Sequence, residues 1–149
     1  MGDQPLLEQT EETYKTLRNE LRRKMWFVPY APFLTVSAIE KKRVARIFPL
    51  IDAIIAERAK RIPTADLNSS LRQAMADMSF PLFKGKQVKL YYITQVKTEP
   101  PSFAIFANYP AALKDAQLRH IEKVLRKSFS FEGTPVRIFV RERERTKRS

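Results

Sequence analysis

The chain has 149 residues, of which 28 are Lys or Arg and 16 are Asp or Glu, so its formal net charge is +12. An isoelectric point near 10.2 is typical of proteins that bind nucleic acids. The alternative interpretation of this charge is a basic surface that is only solvated. The absence of cysteine excludes disulfides and thiolate metal sites. No signal-peptide pattern and no run of about 18 apolar residues occurs, so we expect a cytoplasmic protein without a membrane partner.

The first 61 residues read as helix, strand, helix. Apolar residues recur at helical spacing through residues 14–25, and a second helical pattern covers residues 44–55. Between them, the short apolar run at 33–36 predicts one buried strand. Because a lone strand leaves both of its edges unpaired, this segment is not a domain by itself. We interpret residues 1–61 as the C-terminal remnant of a larger α/β domain.

A boundary is predicted near residue 62. Pro63 disfavours helix at Ile62, and Thr64 is a good N-cap with Asp66 in the first turn of the next helix. We therefore assign residues 62–143 to a second domain. The last six residues, 144–149, are predicted to form a disordered basic tail.

The second domain reads as helix, strand, strand, helix, strand. That order predicts an α+β layer in which helices cover one face of a small sheet. Alternation within the first strand places Leu90 with Tyr92 on one face and Ile93 on the other. The predicted core consists of Leu90, Phe103, Ile105, Leu118, Ile121, Leu125, Ile138 and Val140.

No catalytic constellation is found. A phosphate-binding P-loop needs a glycine five residues before its Gly-Lys pair and a Ser or Thr after it, whereas Gly85-Lys86 has Phe80 and Gln87 at those positions. His120 is the sole histidine and is expected on a solvent-facing helix surface. The sequence therefore predicts no catalytic residue, no metal site and no cofactor, and the chain is not expected to be an enzyme.

Basic residues instead suggest a binding surface. In the last strand, cations alternate with an aromatic residue on the outward side, as on strand surfaces that stack nucleobases. The alternative is that a helix packs over Phe139 and the neighbouring arginines extend to solvent. On the second helix of this domain, cations gather on one side, where phosphate contact and simple solvation are both open. The candidate RNA- or ribosome-binding residues are Lys84, Lys86, Lys89, Arg119, Lys123, Arg126, Lys127, Arg137, Phe139, Arg141 and Arg143.

Several motifs of this domain resemble the C-terminal part of the bacterial tandem-GTPase family Der, also called EngA. They are Arg61-Ile62-Pro63-Thr64, Leu67-Asn68, Pro81-Leu82, Gly85-Lys86, Lys89-Leu90-Tyr91-Tyr92-Ile93-Thr94-Gln95, Pro100-Pro101-Ser102-Phe103, Phe106-Ala107-Asn108 and Phe131-Glu132-Gly133-Thr134-Pro135-Val136-Arg137-Ile138. The resemblance implies a KH-like fold for residues 62–143. It also makes residues 1–61 similar to the end of the family's second GTPase domain, with Ser37 and Ala38 matching the last guanine-contacting loop. The chain departs from the family where residues 39–43 replace a glycine-containing turn.

The resemblance further implies a role in maturation of the large ribosomal subunit, controlled in the full-length family by GTP and Mg²⁺. The expected partners are ribosomal RNA or the large subunit, and the GTPase domains of a Der-like protein. This sequence lacks the guanine-specifying Asn-Lys-x-Asp motif of such domains. The alternative is a truncated GTPase fragment whose KH-like domain serves only as an intramolecular docking surface for the GTPase domains.

Overall fold

A computed structural model describes residues 4–143; the predicted basic tail lies outside the described residues. Seven principal elements follow in chain order, with 3₁₀ turns at Val44–Arg46 and Pro110–Ala112. They are α1 (Gln4–Lys24), α2 (Ile47–Ala59), α3 (Thr64–Ala76), β1 (Leu90–Lys97), β2 (Ser102–Ala107), α4 (Asp115–Phe129) and β3 (Arg137–Glu142). We refer to α3 through β3 as the sheet module.

The sheet module contains one three-stranded sheet in the order β1-β2-β3. Strands β1 and β2 are antiparallel, whereas β2 and β3 are parallel and are connected through α4. Because parallel strands require a crossover, the long helix between them is the expected connection. The predicted α+β order of helix, strand, strand, helix, strand is confirmed.

The core of the sheet module lies between the sheet and helices α3 and α4. Leu67 of α3, Ile121 of α4 and Phe103 of β2 are fully buried within it. Of the predicted core residues, Leu90, Phe103, Ile105, Ile121 and Leu125 are buried, and Leu118, Ile138 and Val140 are half-buried against them. The helices therefore cover one face of the sheet, as predicted.

The alternation predicted for β1 is wrong in phase. Leu90 and Ile93 are both buried, although a regular strand would place them on opposite faces. The pairing register between β1 and β2 shifts between Leu90 and Tyr92, as at a β-bulge. This irregularity lets Leu90 and Ile93 both enter the core and leaves Tyr92 exposed.

The predicted buried strand at 33–36 is also wrong. This segment forms no strand, and none of its residues is buried. Among the described residues, the three-stranded sheet does not include this segment. A segment without a neighbouring strand cannot form the backbone hydrogen bonds that define a strand. Phe33 and Leu34 instead line a groove of about 830 Å³ together with Tyr14 and Leu17 of α1.

The end of α2 is attached to the loop between α4 and β3. The Glu57 carboxylate accepts hydrogen bonds from the Phe131 amide at 2.7 Å and from the Lys60 ammonium at 2.8 Å. Close by, the Gly133 amide donates to the Tyr30 carbonyl at 2.9 Å. These contacts place residues 30 and 57–60 at the loop, away from the uncovered face of the sheet.

Candidate nucleic-acid interface

One face of the sheet is not covered by any helix of residues 4–143, and we call it the open sheet face. Strand pairing brings its side chains into cross-strand rows. One row contains Tyr92, Phe106 and Arg141, and the next contains Thr94, Ala104 and Phe139. The complete face consists of Tyr92, Thr94, Lys97, Ser102, Ala104, Phe106, Arg137, Phe139 and Arg141.

Aromatic rings form the centre of the open sheet face. The rings of Tyr92 and Phe106 stack with centroids 4.5 Å apart and planes inclined by 19°. Phe139, in the next row, leaves 45% of its surface exposed. Ala104, which lies between Thr94 and Phe139 in that row, is fully buried. The result is a continuous, largely apolar platform.

Cations surround this platform. Arg137 and Arg141 are exposed, and neither forms an ion pair with a described residue. The guanidinium of Arg143 lies 4.7 Å from the centre of the Tyr91 ring, in a cation–π contact. The helix predicted as an alternative cover for Phe139 is not found among the described residues. Charged donors and aromatic rings therefore remain accessible on the same face.

The lysines before β1 lie at one end of the sheet. Lys84 and Gly85, both at positive φ, form a tight turn in which the amides and carbonyls of Phe83 and Lys86 pair. Lys89 is held at the end of β2 by Asn108, whose side-chain Oδ1 accepts from the Lys89 amide at 2.8 Å and whose amide donates to the Lys89 carbonyl at 3.1 Å. Since the carbonyl of Ala107 also accepts from the Arg143 amide, these lysines and Arg143 share one end of the sheet.

The cations on α4 are on the other side of the module. Simple solvation, one of the two alternatives predicted for them, does not hold for Arg126, which is half-buried. Its guanidinium bonds the Glu122 carboxylate at 2.8 Å and the Phe131 carbonyl at 2.9 Å, and lies 4.9 Å from the Tyr30 ring centre. The side chain is thus used to fix the loop after α4. Exposed Lys123 and Lys127 form no ion pair with a described residue.

Arg119 belongs to the same exposed stripe as Lys123 and Lys127, and its Nε donates to the Asp115 carbonyl at 3.3 Å. The structure therefore divides the predicted binding residues into two groups. The open sheet face and its lysine-bearing end form one group. The α4 stripe, defined by Arg119, Lys123 and Lys127, forms the other.

Ser37 and Ala38, the residues carried over from the guanine-contacting loop, lie in a tight turn. The Ser37 amide donates to the Lys42 carbonyl at 3.1 Å, and its hydroxyl accepts from the Glu40 amide at 3.2 Å. A side-chain hydrogen bond and the charge of Lys42 hold the pKa of Glu40 below its usual value. Ala38 itself is exposed.

His120 is not the free surface residue that was predicted. It is half-buried, and its Nε2 lies 3.2 Å from the Ala74 carbonyl of α3, so the ring bridges the two helices. Among residues 4–143, no group of three or more His, Cys, Asp or Glu side chains could hold a metal ion. No helix in the described part of the chain has the length and apolar character needed to cross a membrane.

Six of the nine residues on the open sheet face were not predicted as binding residues, and Tyr92, Lys97 and Phe106 are the ones that bear an aromatic ring or a charge. Tyr92 was placed with Leu90 because the bulge in β1 leaves no mark in the sequence. Lys97 reaches the face through a second register shift, between Gln95 and Lys97. Phe106 lies on the side of β2 opposite the core, and an aromatic residue at such a position was the available signal.

Comparison with known proteins agrees with this arrangement. Residues 61–141 match the family model described as "KH-domain-like of EngA bacterial GTPase enzymes, C-terminal". The GTPase Der of Thermodesulfovibrio yellowstonii is 44% identical over 87% of this chain and 29% of that protein. The GTPase Der of Natranaerobius thermophilus is 43% identical over 91% of this chain and 30% of its own length.

The GTPase Der of a Synechococcus strain is 40% identical over 91% of this chain and 30% of its own length. This chain thus spans about three tenths of the length of the curated relatives that it matches. The matched region contains both the sheet with its open face and the two helices behind it. The chain belongs to the KH-domain-like family found at the C-terminus of the EngA (Der) bacterial GTPases.

Proposed function

We propose that this chain binds ribosomal RNA, or an RNA surface of the large ribosomal subunit, during assembly of that subunit in the cytoplasm. In proteins that also contain GTPase domains, GTP controls this binding. The module supplies the RNA-contacting part and performs no chemistry itself. The chain alone is therefore a binding protein, without a cofactor of its own.

The observation that carries this proposal is the set of cations without intramolecular partners. Arg137 and Arg141 on the open sheet face, and Lys123 and Lys127 on α4, are exposed and form no ion pair within residues 4–143. Phosphate contacts from such side chains release counterions, which supplies most of the sequence-independent affinity for nucleic acids. Arg137 and Arg141 also lie beside the exposed ring of Phe139, a combination of cations and aromatic groups that is found on surfaces that bind single-stranded nucleic acids.

A second candidate function is docking of GTPase domains without RNA binding. The observation in its favour is the attachment of Tyr30 and Glu57 to the loop between α4 and β3. This contact uses the loop and leaves both the open sheet face and the α4 stripe free. Docking at the loop is therefore compatible with RNA binding elsewhere on the module.

A salt titration tests the proposal. Affinity for a fragment of large-subunit ribosomal RNA, measured by filter binding, should fall steeply as salt rises from about 50 to 200 mM. Charge reversal with Lys123→Glu and Lys127→Glu should weaken binding and reduce the slope of log affinity against log salt by about one for each lost phosphate contact.

The matched control carries the same change in net charge on α1, with Lys15→Glu and Arg18→Glu, at two exposed positions. It should bind nearly as well as the unmodified chain. A flat salt dependence, or equal losses in the two charge-reversed variants, would remove the case for a defined RNA surface. Tight binding to an isolated GTPase domain with no RNA affinity would favour docking instead.

A further inference from the structure

The open sheet face has features that phosphate binding alone does not require. Its central residues are aromatic, and its cations lie around the edge of the rings. Duplex RNA presents phosphates and 2′-hydroxyls to a protein and keeps the faces of its bases stacked inside the helix. Exposed rings contribute little to duplex binding, whereas unpaired bases stack readily on aromatic side chains.

We infer that the open sheet face binds single-stranded RNA by stacking unpaired bases on Phe139 and on the Tyr92–Phe106 pair. The inference rests on the proposed function and names the form of RNA that this face takes. It assigns the α4 stripe no part in base recognition. Stacking platforms built on a sheet surface can hold two or three bases in the same way.

The geometry of the two aromatic positions supports this assignment. Tyr92 covers one face of the Phe106 ring at a centroid distance of 4.5 Å, so the opposite face of Phe106 is directed toward β3. A base inserted there would extend an existing stack. The Phe139 row is two residues further along the strands, which is about 6.7 Å at the usual rise per residue. Consecutive unstacked bases can therefore be placed at the two positions.

The surrounding charges fit the backbone of such a strand. Arg141 is the register neighbour of Phe106, and Arg137 lies two residues before Phe139 on β3. Arg143 follows the last residue of β3, and its guanidinium lies over the exposed Tyr91 ring of β1. Arg137 and Arg141 thus lie along the edge strand β3, and Arg143 lies across one end of the sheet, where these cations can neutralise successive phosphates. This complementarity of charge favours RNA over a protein partner, whose surface would lack a comparable row of anions.

The experiment uses the full chain and a labelled single-stranded RNA of about 10 nucleotides, followed by fluorescence anisotropy. Phe139→Leu, which keeps an apolar side chain and removes the ring, should lower affinity for this strand by about 5-fold to 100-fold. Phe139→Tyr should retain it. Tyr92→Leu should cause a loss of the same order. Both residues are exposed, so folding should survive, and circular dichroism checks this.

Two further probes separate base stacking from charge. An abasic strand of equal length keeps every phosphate, and it should bind more weakly and no longer distinguish Phe139→Leu from the unmodified chain. An RNA duplex of about 16 base pairs should be insensitive to the same substitution. Equal affinity for abasic and normal strands would overturn the inference.

The failure of this inference can be told apart from failure of the proposed function. If ribosomal RNA binds with the expected salt dependence but Phe139→Leu and Tyr92→Leu change nothing, only the base-stacking site is refuted. If no RNA binds, both proposals fail. If an isolated GTPase domain of a Der protein protects Phe139 and Tyr92 from solvent while single-stranded RNA does not, the open sheet face is a protein-docking surface and the inference is wrong.

Discussion

Gly133 is the position at which a single added methyl group tests how residues 1–61 attach to the sheet module. Its φ is +76°, and a Cβ atom there would lie 2.8 Å from Cδ1 of Ile54 on α2 and closer still to Cγ1. Left-handed backbone costs an ordinary residue about 1–2 kcal/mol. Forcing a methyl group into filled space costs about 1–3 kcal/mol more.

The close contact with Ile54 cannot be relieved by a simple rotation. Cγ2 of the same side chain would lie 3.2 Å from the new methyl group, so both branches of the isoleucine are involved. A β-branched residue in a helix is also held to one χ1 rotamer. We therefore expect Gly133→Ala to lower the free energy of unfolding by roughly 2–5 kcal/mol, the sum of the two costs.

Gly85 supplies the matched control, because its φ is +74° and a Cβ atom there would meet nothing within 4 Å. Gly85→Ala should cost only the backbone strain of about 1–2 kcal/mol. Urea denaturation followed by far-ultraviolet circular dichroism measures both variants. In an Ile54→Ala background the steric conflict disappears, so Gly133→Ala should then cost no more than Gly85→Ala.

The double-mutant cycle therefore predicts a coupling between residues 54 and 133 of about 1–3 kcal/mol. Additive effects of Gly133→Ala and Ile54→Ala would refute the reasoning. So would equal costs for Gly133→Ala and Gly85→Ala in the unmodified chain. Either result would mean that α2 is not packed against the loop after α4 as the structure shows.

Leu125→Ala should lower the free energy of unfolding by about 2–5 kcal/mol, because the side chain is 1% exposed; the half-buried neighbour Val124→Ala should cost clearly less in the same denaturation assay. Nuclear magnetic resonance should give Glu40 a pKa below its ordinary value, and Lys42→Gln should return it there. A carboxyl group whose pKa is lower in the folded chain than in the unfolded chain stabilises the fold at pH values above its unfolded-state pKa. That stabilisation is lost as the pH falls through its folded-state pKa. Because this pair is exposed and screened by solvent, Lys42→Gln should lower the denaturation midpoint only slightly at neutral pH, and the effect should vanish below the folded pKa of Glu40. Calorimetry with GTP and GDP should show no binding to this chain, since Gly85-Lys86 lacks the preceding glycine and the following Ser or Thr that a phosphate-binding loop needs. Micromolar affinity would contradict our interpretation of residues 1–61.

The aliphatic pattern of the chain was sufficient to predict most of the sheet module. Leu67 and Leu71 on α3, and Ile121 and Leu125 on α4, recur at helical spacing, and Phe103 and Ile105 alternate as in a strand. Their burial therefore follows from local geometry. Pro63 and Thr64 marked the start of α3 within one residue. Such features depend only on residues that are close in sequence, so they can be predicted without knowing the contacts between distant segments.

The sequence by itself determined the basic character, the element order of the sheet module and its family, because each depends on residue type and local spacing. Only the tertiary structure decided which side chains share a face. The register shift beside Leu90 turned Tyr92 outward, and Arg126 was drawn to the loop carbonyls instead of solvent. Strand register and the partners of a long side chain are set by contacts between segments far apart in sequence, and periodicity along one segment carries no information about them.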